Sequence, residues 1–161
     1  MRLFTAPQTF YIEPTHKRVF LAGSIEMGEA EDWQETLIAA LADCDVDILN
    51  PRRDDWDSSW VQAIDNPHFF EQVNWELDAL EAADIIALVL SPGTKSPISL
   101  LEYGLYVRSG KLIVCCPEGF WRKGNVDIVC RRYGVSQVGS MPELVEAIRE
   151  KLKLRTSDNC P

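Results

Sequence analysis

A chain of 161 residues with 46% hydrophobic composition carries enough apolar material for one sizeable core and leaves little room for a second domain. Its 16 basic residues stand against 25 acidic ones, and the resulting net charge of -9 argues against a surface for the phosphate backbone of a nucleic acid polymer. The longest unbroken apolar run, Ile85 to Leu90, is far short of the roughly 20 residues that cross a bilayer. No secretory apolar stretch follows Met1, so the expectation is a cytoplasmic protein that handles small molecules, away from membranes.

Residues 1–17 hold Pro7 and Pro14 around Phe10-Tyr11-Ile12 without a helical period, and read as an arm packed across the core. From residue 18 to 153 short apolar runs alternate with segments of helical spacing, which makes one α/β domain; residues 154–161 read as a flexible tail. The strand candidates are Arg18–Ala22, Val46–Leu49, Ile85–Leu90 and Leu112–Cys116, with a weaker run at Gln137-Val138. The helix candidates are Trp33–Leu41, Phe69–Ala82, Ser99–Arg108 and Met141–Leu152. Strands apolar throughout are buried on both faces, and parallel strands need crossover helices. The predicted architecture is therefore a three-layer, doubly wound α/β/α sandwich of the flavodoxin or Rossmann kind, with a mostly parallel sheet of about five strands. In such folds ligands bind beyond the carboxyl ends of the strands.

The first strand runs into Gly23-Ser24-Ile25-Glu26-Met27-Gly28, where a glycine and a hydroxyl can bring N–H groups to a phosphate or a ribose hydroxyl, or can simply form a turn with Ser24 as a cap. The dinucleotide fingerprint Gly-x-Gly-x-x-Gly is not formed, so no nicotinamide cofactor is expected, nor any other. Five cysteines (Cys44, Cys115, Cys116, Cys130, Cys160) lack Cys-x-x-Cys and zinc-ligand spacing, so neither a metal nor a disulfide framework is expected. Cys115 and Cys116 fit small buried hydrophobes.

The stretch Asn50 to His68 is long for a connection in a compact domain and has the length of an active-site wall or lid. Within it Trp56 or Trp60 could stack on a flat ligand, with Asp54, Asp55 and Asp57 near its amino groups; alternatively the tryptophans anchor the loop on the core. In the following helix Val73, Leu77, Leu80 and Ala83 mark the expected buried stripe, which sets Glu76 beside it; Glu76 is an acid at the site or a surface charge. After the third long strand, Ser96 or Ser99 starts a helix that places Glu102 within its first turns, near the positive helix end that favours an ionised carboxylate. Such a carboxylate suits attack on an electrophilic sugar carbon; Ser99 and Glu102 also fit a capping box.

Taken in order, Phe20-Leu21-Ala22-Gly23-Ser24-Ile25, Ala83-Asp84-Ile85-Ile86, Glu102-Tyr103-Gly104-Leu105 and Gly110-Lys111-Leu112-Ile113 resemble the nucleoside 2-deoxyribosyltransferase superfamily, which includes 2'-deoxynucleoside 5'-monophosphate N-glycosidases. The resemblance implies an enzyme that cleaves and re-forms the N-glycosidic bond of (deoxy)nucleosides through a sugar ester on Glu102. Glu76 falls where the family carries an aspartate that assists proton transfer. Ser96 falls where the transferases have an aspartate for the 5'-hydroxyl and the monophosphate glycosidases a serine for phosphate. Phe20, Gly23, Ser24, Trp56, Ser96 and Ser99 are the expected substrate contacts. The segment Gly124-Asn125-Val126-Asp127 matches the region from which family members reach into a neighbouring subunit, which adds Asn125 and Asp127 and implies a homodimer or higher homo-oligomer; Asn125 as a helix cap is the other reading. Hydrolysis of (deoxy)nucleoside 5'-monophosphates and a non-catalytic nucleotide sensor are the alternatives. A flavodoxin-like electron carrier lacks its phosphate loop here, and a receiver domain lacks its acidic pocket.

Overall fold

The computed structural model describes residues 1–25, 32–53, 56, 57 and 59–157, with side chains as far as 153. Glu26, Met27, Gly28, Asp54, Asp55 and Cys160 of the sequence analysis lie outside the described residues. The elements are β1 (Arg2–Thr5), β2 (Lys17–Gly23), α1 (Trp33–Ala40), β3 (Val46–Asn50), α2 (Pro67–Ala82), β4 (Ile85–Val89), α3 (Pro97–Tyr106), β5 (Leu112–Cys115), α4 (Lys123–Tyr133), β6 (Ser136–Val138) and α5 (Met141–Ser157). All described strands pair in parallel in the order β1-β3-β2-β4-β5-β6.

The strands are apolar throughout because both faces are covered. Val19, Leu21, Ile48, Ile85, Ala87 and Ile113 pack with Trp33 and Leu37 of α1 and with Leu144 and Ile148 of α5. Their alternate neighbours Phe20, Ala22, Leu49, Ile86, Leu88 and Val114 pack with Trp75 and Leu80 of α2, Tyr103 of α3 and Val126 of α4. This alternation is the period of two along each strand, and it produces the three expected layers.

The sixth strand comes from the arm. Arg2 holds it against β3 through a two-pronged contact, Nε and Nη2 each 2.7 Å from a carboxylate oxygen of the buried Asp47. Beyond β1 the arm crosses α2, where the Trp75 indole donates to Gln8 O at 2.8 Å and Phe10 meets Trp75 edge to face. At the other end α5 continues to Ser157, so the first four residues of the expected tail are helical.

The order in which strands are added reverses at β2: β3 lies on one side of it and β4 on the other. This is the topological switch point at which open α/β sheets have their crevice. Gly23 ends β2 there with φ 147°, and a Cβ at this position would sit 2.3 Å from Val89 O and 2.9 Å from Val89 N. Those neighbours are backbone of the adjacent strand and have no room to give. Gly23→Ala is expected to cost about 2 kcal/mol or more, read in thermal unfolding as a midpoint lower by roughly 4–8 °C for a chain of this size.

Candidate functional site

Burying a polar group without a partner is costly, so the places where a chain accumulates buried polar side chains need a reason. Among the described residues these are Ser24, Gln34, Asp47, Asn50, Gln72, Thr94, Ser96 and Ser99. Asp47 is accounted for by Arg2. The other seven lie at the carboxyl ends of β2, β3 and β4 or in the opening turns of the helices that follow, so most of the buried polar side chains gather at one end of the sheet.

Ser24 is the centre of this region. Its N–H donates to Val89 O at 3.0 Å, its carbonyl accepts from the Trp33 indole at 2.9 Å, and its hydroxyl accepts from Ser91 N–H at 3.1 Å. The same hydroxyl bonds Thr94 Oγ1 at 2.8 Å and Ser96 Oγ, while Thr94 and Ser96 are 2.9 Å apart. Ser96 is the residue at the start of α3 and has φ 47°, ψ 54°, a left-handed backbone unusual outside glycine. Held this way its hydroxyl turns into the cluster and makes no capping bond to α3. Three hydroxyls with rotatable protons thus stand together at the positive end of a helix.

The helix starts at Pro97 after Ser96, so Ser99 lies inside the first turn, buried, and the Ser99–Glu102 capping box is not formed. Glu102 is the sixth residue of α3, in its second turn. Burial and then the charge of Glu76 push its carboxyl up to about 8. The expectation that the helix end keeps Glu102 ionised is corrected: the dipole's influence fades within the first turn, and desolvation dominates.

Glu76 comes from α2. The buried residues of this helix are Gln72, Trp75, Ala79 and Leu80, whereas Leu77 is 40% exposed, so the stripe is rotated from the Val73-Leu77-Leu80-Ala83 reading. Glu76 lies on the inward face between Gln72 and Leu80, and Asp78 and Glu81 face outward. Its carboxyl is likewise raised by burial, partly offset by Gln72, whose Nε2 donates to Glu76 Oε1 at 2.8 Å. α2 and α3 cover the same face of the sheet, and the structure brings Glu76 and Glu102 into electrostatic contact there.

The loop after β3 is fastened to both layers. Arg52 reaches Gln34 Oε1 at 3.4 Å and Asp32 at 3.4 Å on the α1 side, while Arg53 reaches Gln72 Oε1 at 3.5 Å on the α2 side. Farther along, Trp60 stacks on His68 with centroids 4.8 Å apart, Trp56 meets Trp60 edge to face, and Arg53 lies over the Trp60 ring. Both tryptophans are half-buried, in an aromatic group at the start of α2 and not among the core residues. Asp57 accepts from Ser59 N–H within the loop.

Other expected contacts are placed apart. Phe20 is fully buried between β2 and α2 and supports the site from below, with no surface for a substrate. Asn125 is exposed inside α4, whose start is at Arg122, so it is not the cap. Asp127 is engaged by Gln137 and by Lys123 at 2.9 Å. Cys115 and Cys116 are buried, and burial pushes both thiols up to about 11, as inert core thiols require. Sequence reasoning missed Gln72, Thr94 and Arg53; for Gln72 the signal was a polar residue one turn before Glu76.

A family model described as nucleoside 2-deoxyribosyltransferase like matches residues 16–120. The chain belongs to this family. Within the match fall Ser24, Gln72, Glu76, Ser96 and Glu102, whereas Asn125 and Asp127 lie beyond it. Among solved structures, a conserved protein from Enterococcus faecalis V583 is similar at 14% identity and a TM-score of 0.60, over 84% of this chain and 99% of that one, a likeness of fold. No protein of curated function matches the chain. No described helix of this deoxyribosyltransferase-like chain is long and apolar enough to cross a membrane.

A carboxyl held above its ordinary 4.5 stabilises the fold at low pH, and that contribution is lost as pH rises through about 8. Glu102→Gln, which has no charge to desolvate, is expected to melt at a higher temperature than wild type, by a margin that opens above pH 4.5 and levels off above about 8. Thermal scans of both proteins across that range measure it.

Proposed function

We propose that the protein cleaves and re-forms the N-glycosidic bond of (deoxy)nucleosides, with Glu102 as nucleophile and Glu76 as acid. The observation that carries this reading is the pair of inward carboxyls on α2 and α3, each raised by burial, with Glu102 raised further by the charge of Glu76, at the end of the sheet where polar side chains are buried. Two such carboxyls hold one proton between them over a range of pH; in the free enzyme it rests on Glu102 beside the charged Glu76, and its passage to Glu76 on substrate binding supplies the Glu102 anion and the acid. The Glu102 carboxylate attacks C1' of the sugar as the C1'–N bond breaks, and the proton from Glu76 goes to the departing base. A second base, or water, then attacks the sugar ester from the side the first base left, returns a proton to Glu76, and restores the original configuration. A cytoplasmic setting agrees with substrates of this class.

The hydroxyls of Ser24, Thr94 and Ser96 favour a 5'-phosphate on the substrate, since rotatable O–H groups at a helix N-terminus accept an anion where a carboxylate would repel it. The half-buried Trp56 and Trp60 suit the flat base, for which aromatic stacking contributes about 1–3 kcal/mol. The enzyme is incubated with deoxynucleosides or their 5'-monophosphates and a second base, and products are separated by chromatography. Exchange or release of base is expected, with the monophosphate used at least as well as the nucleoside. Glu102→Ala is expected to lose roughly 10³-fold or more in rate, and a sugar adduct on wild type is expected by mass spectrometry. Activity of Glu102→Ala near wild type rejects Glu102 as the nucleophile, and binding by wild type without turnover rejects the enzyme in favour of a nucleotide sensor.

The reading includes a homodimer. Ile98, Leu101 and Leu105 form a line along the outer face of α3, each about three-fifths exposed, on the helix that carries Glu102. A second copy is the occupant this face fits, as it would cover the apolar line and bring its own Asn125 near a neighbouring site. Sedimentation is expected to show a dimer for wild type and a monomer for Leu101→Glu; a wild-type monomer at assay concentration rejects it.

A further inference from the structure

Gln72 is a buried amide on the sheet-facing side of α2, among Trp75, Ala79 and Leu80, where an apolar side chain would be the ordinary occupant. Its two N–H groups are both used: Nε2 donates to Pro51 O at 2.9 Å and to Glu76 Oε1 at 2.8 Å. Its Oε1 accepts from Arg53 Nη1 at 3.5 Å. Donors on one side and an acceptor on the other fix the amide in a single orientation. The side chain therefore ties three things together: the end of β3, the arginine that lies over Trp60, and the inward acid of α2.

We infer that Gln72 is a positioning residue that fixes the Glu76 carboxyl and joins it to the loop after β3. The catalytic part of this inference rests on the proposed glycosyl transfer; the physical coupling does not. With an N–H occupying Oε1, a proton on Glu76 resides on Oε2, so the acid presents one defined O–H. His68, Gln72 and Glu76 follow at four-residue spacing on one side of α2, so the Trp60–His68 stack stands on the same line as the acid, about 12 Å along the helix. A base that stacks in this aromatic group displaces or presses Arg53, and the change reaches Glu76 through a single side chain.

The charged and titratable groups around Glu76, among the described residues, are Glu102 from α3, Tyr106 behind Glu102, and Arg53 on the loop beyond Gln72. Because Gln72 donates to the Glu76 anion, its loss raises the proton affinity of Glu76. Activity that needs one proton on the pair then begins at higher pH: the acid limb of kcat/KM moves up, while the alkaline limb, set by loss of the last proton, stays in place.

Two variants are used, Gln72→Leu, which removes the amide, and Gln72→Glu, which keeps its length and an acceptor for Arg53 but loses both N–H donors. Carbon-13 NMR of the glutamate carboxyls follows Glu76 directly, with Glu76→Gln as the assignment control, and trypsin cleavage after Arg52 and Arg53 reports the hold on the loop. Expected are a Glu76 titration at higher pH than in wild type in both variants, and faster cleavage in Gln72→Leu. For the active enzyme a kcat loss of roughly 10- to 100-fold is expected, as for a displaced catalytic group, with the acid limb shifted. A folded variant with unchanged Glu76 titration and unchanged cleavage overturns the inference even if the enzyme transfers sugars. An enzyme that transfers no sugar, with the titration and cleavage moved as stated, leaves the inference standing and removes the proposed function alone.

Discussion

Between the ends of β2 and β4 there is no space for a Cβ atom, and the arrangement of the site follows from that close approach. Gly23 lets the two strands meet, which brings Ser24 N–H onto Val89 O and sets the Ser24 hydroxyl under Ser91, Thr94 and Ser96. That hydroxyl cluster holds Ser96 in a left-handed conformation, and this decides that α3 begins at Pro97 and not two residues later. The start of α3 in turn decides which way Glu102 points. On the opposite face the Ser24 carbonyl receives the Trp33 indole, so the same residue also fixes where α1 lies. A single close approach of two parallel backbones thereby sets both helical layers relative to the sheet.

The layered fold was legible because strands covered on both faces have a plain signature. Ile85–Val89 and Leu112–Cys115 are apolar at every position, and no other common arrangement asks for that. β1 was hidden: four residues ending just before Pro7 are too few to show a pattern, and its place at the sheet edge depends on Arg2 finding Asp47, a contact across 45 residues. The face of α2 was misjudged for an instructive reason. Gln72 and Glu76 are polar residues at inward positions, so an apolar stripe drawn without them rotates toward Val73 and Leu77. A helix that breaks its own pattern on the covered side is reporting chemistry. At α3 the spacing Ser-x-x-Glu fitted a cap equally well, and only the hydroxyl cluster, which joins residues 24, 94 and 96, discriminates between them.

The electrostatics of the two acids follow from where water is absent. With an overall charge of -9 the protein carries its negative groups mostly on the surface, where solvent screens them. Glu76 and Glu102 are inward instead, and each resists ionisation because an anion there is poorly solvated. The favourable field at a helix N-terminus is a smaller effect six residues in, whereas it acts fully on the hydroxyls at Ser96. The fold thus separates two kinds of polarity within a short distance: an anion-receptive corner of hydroxyls and a corner where carboxyls prefer to keep a proton.

Arg52 and Arg53 are adjacent, and neighbouring side chains of an extended chain point to opposite sides; one engages the α1 layer and the other the α2 layer. The segment is therefore secured at its root, immediately after β3, and again at Asn66, whose side chain caps α2. Of the described residues between these two fastenings, none belongs to the hydrophobic core. Lengthening such a span costs little, since closure entropy grows only with the logarithm of length. The architecture is accordingly modular: the recognition segment can be exchanged, lengthened or shortened in descent from a common ancestor while the two acids keep their places, so ligand preference can diverge faster than chemistry.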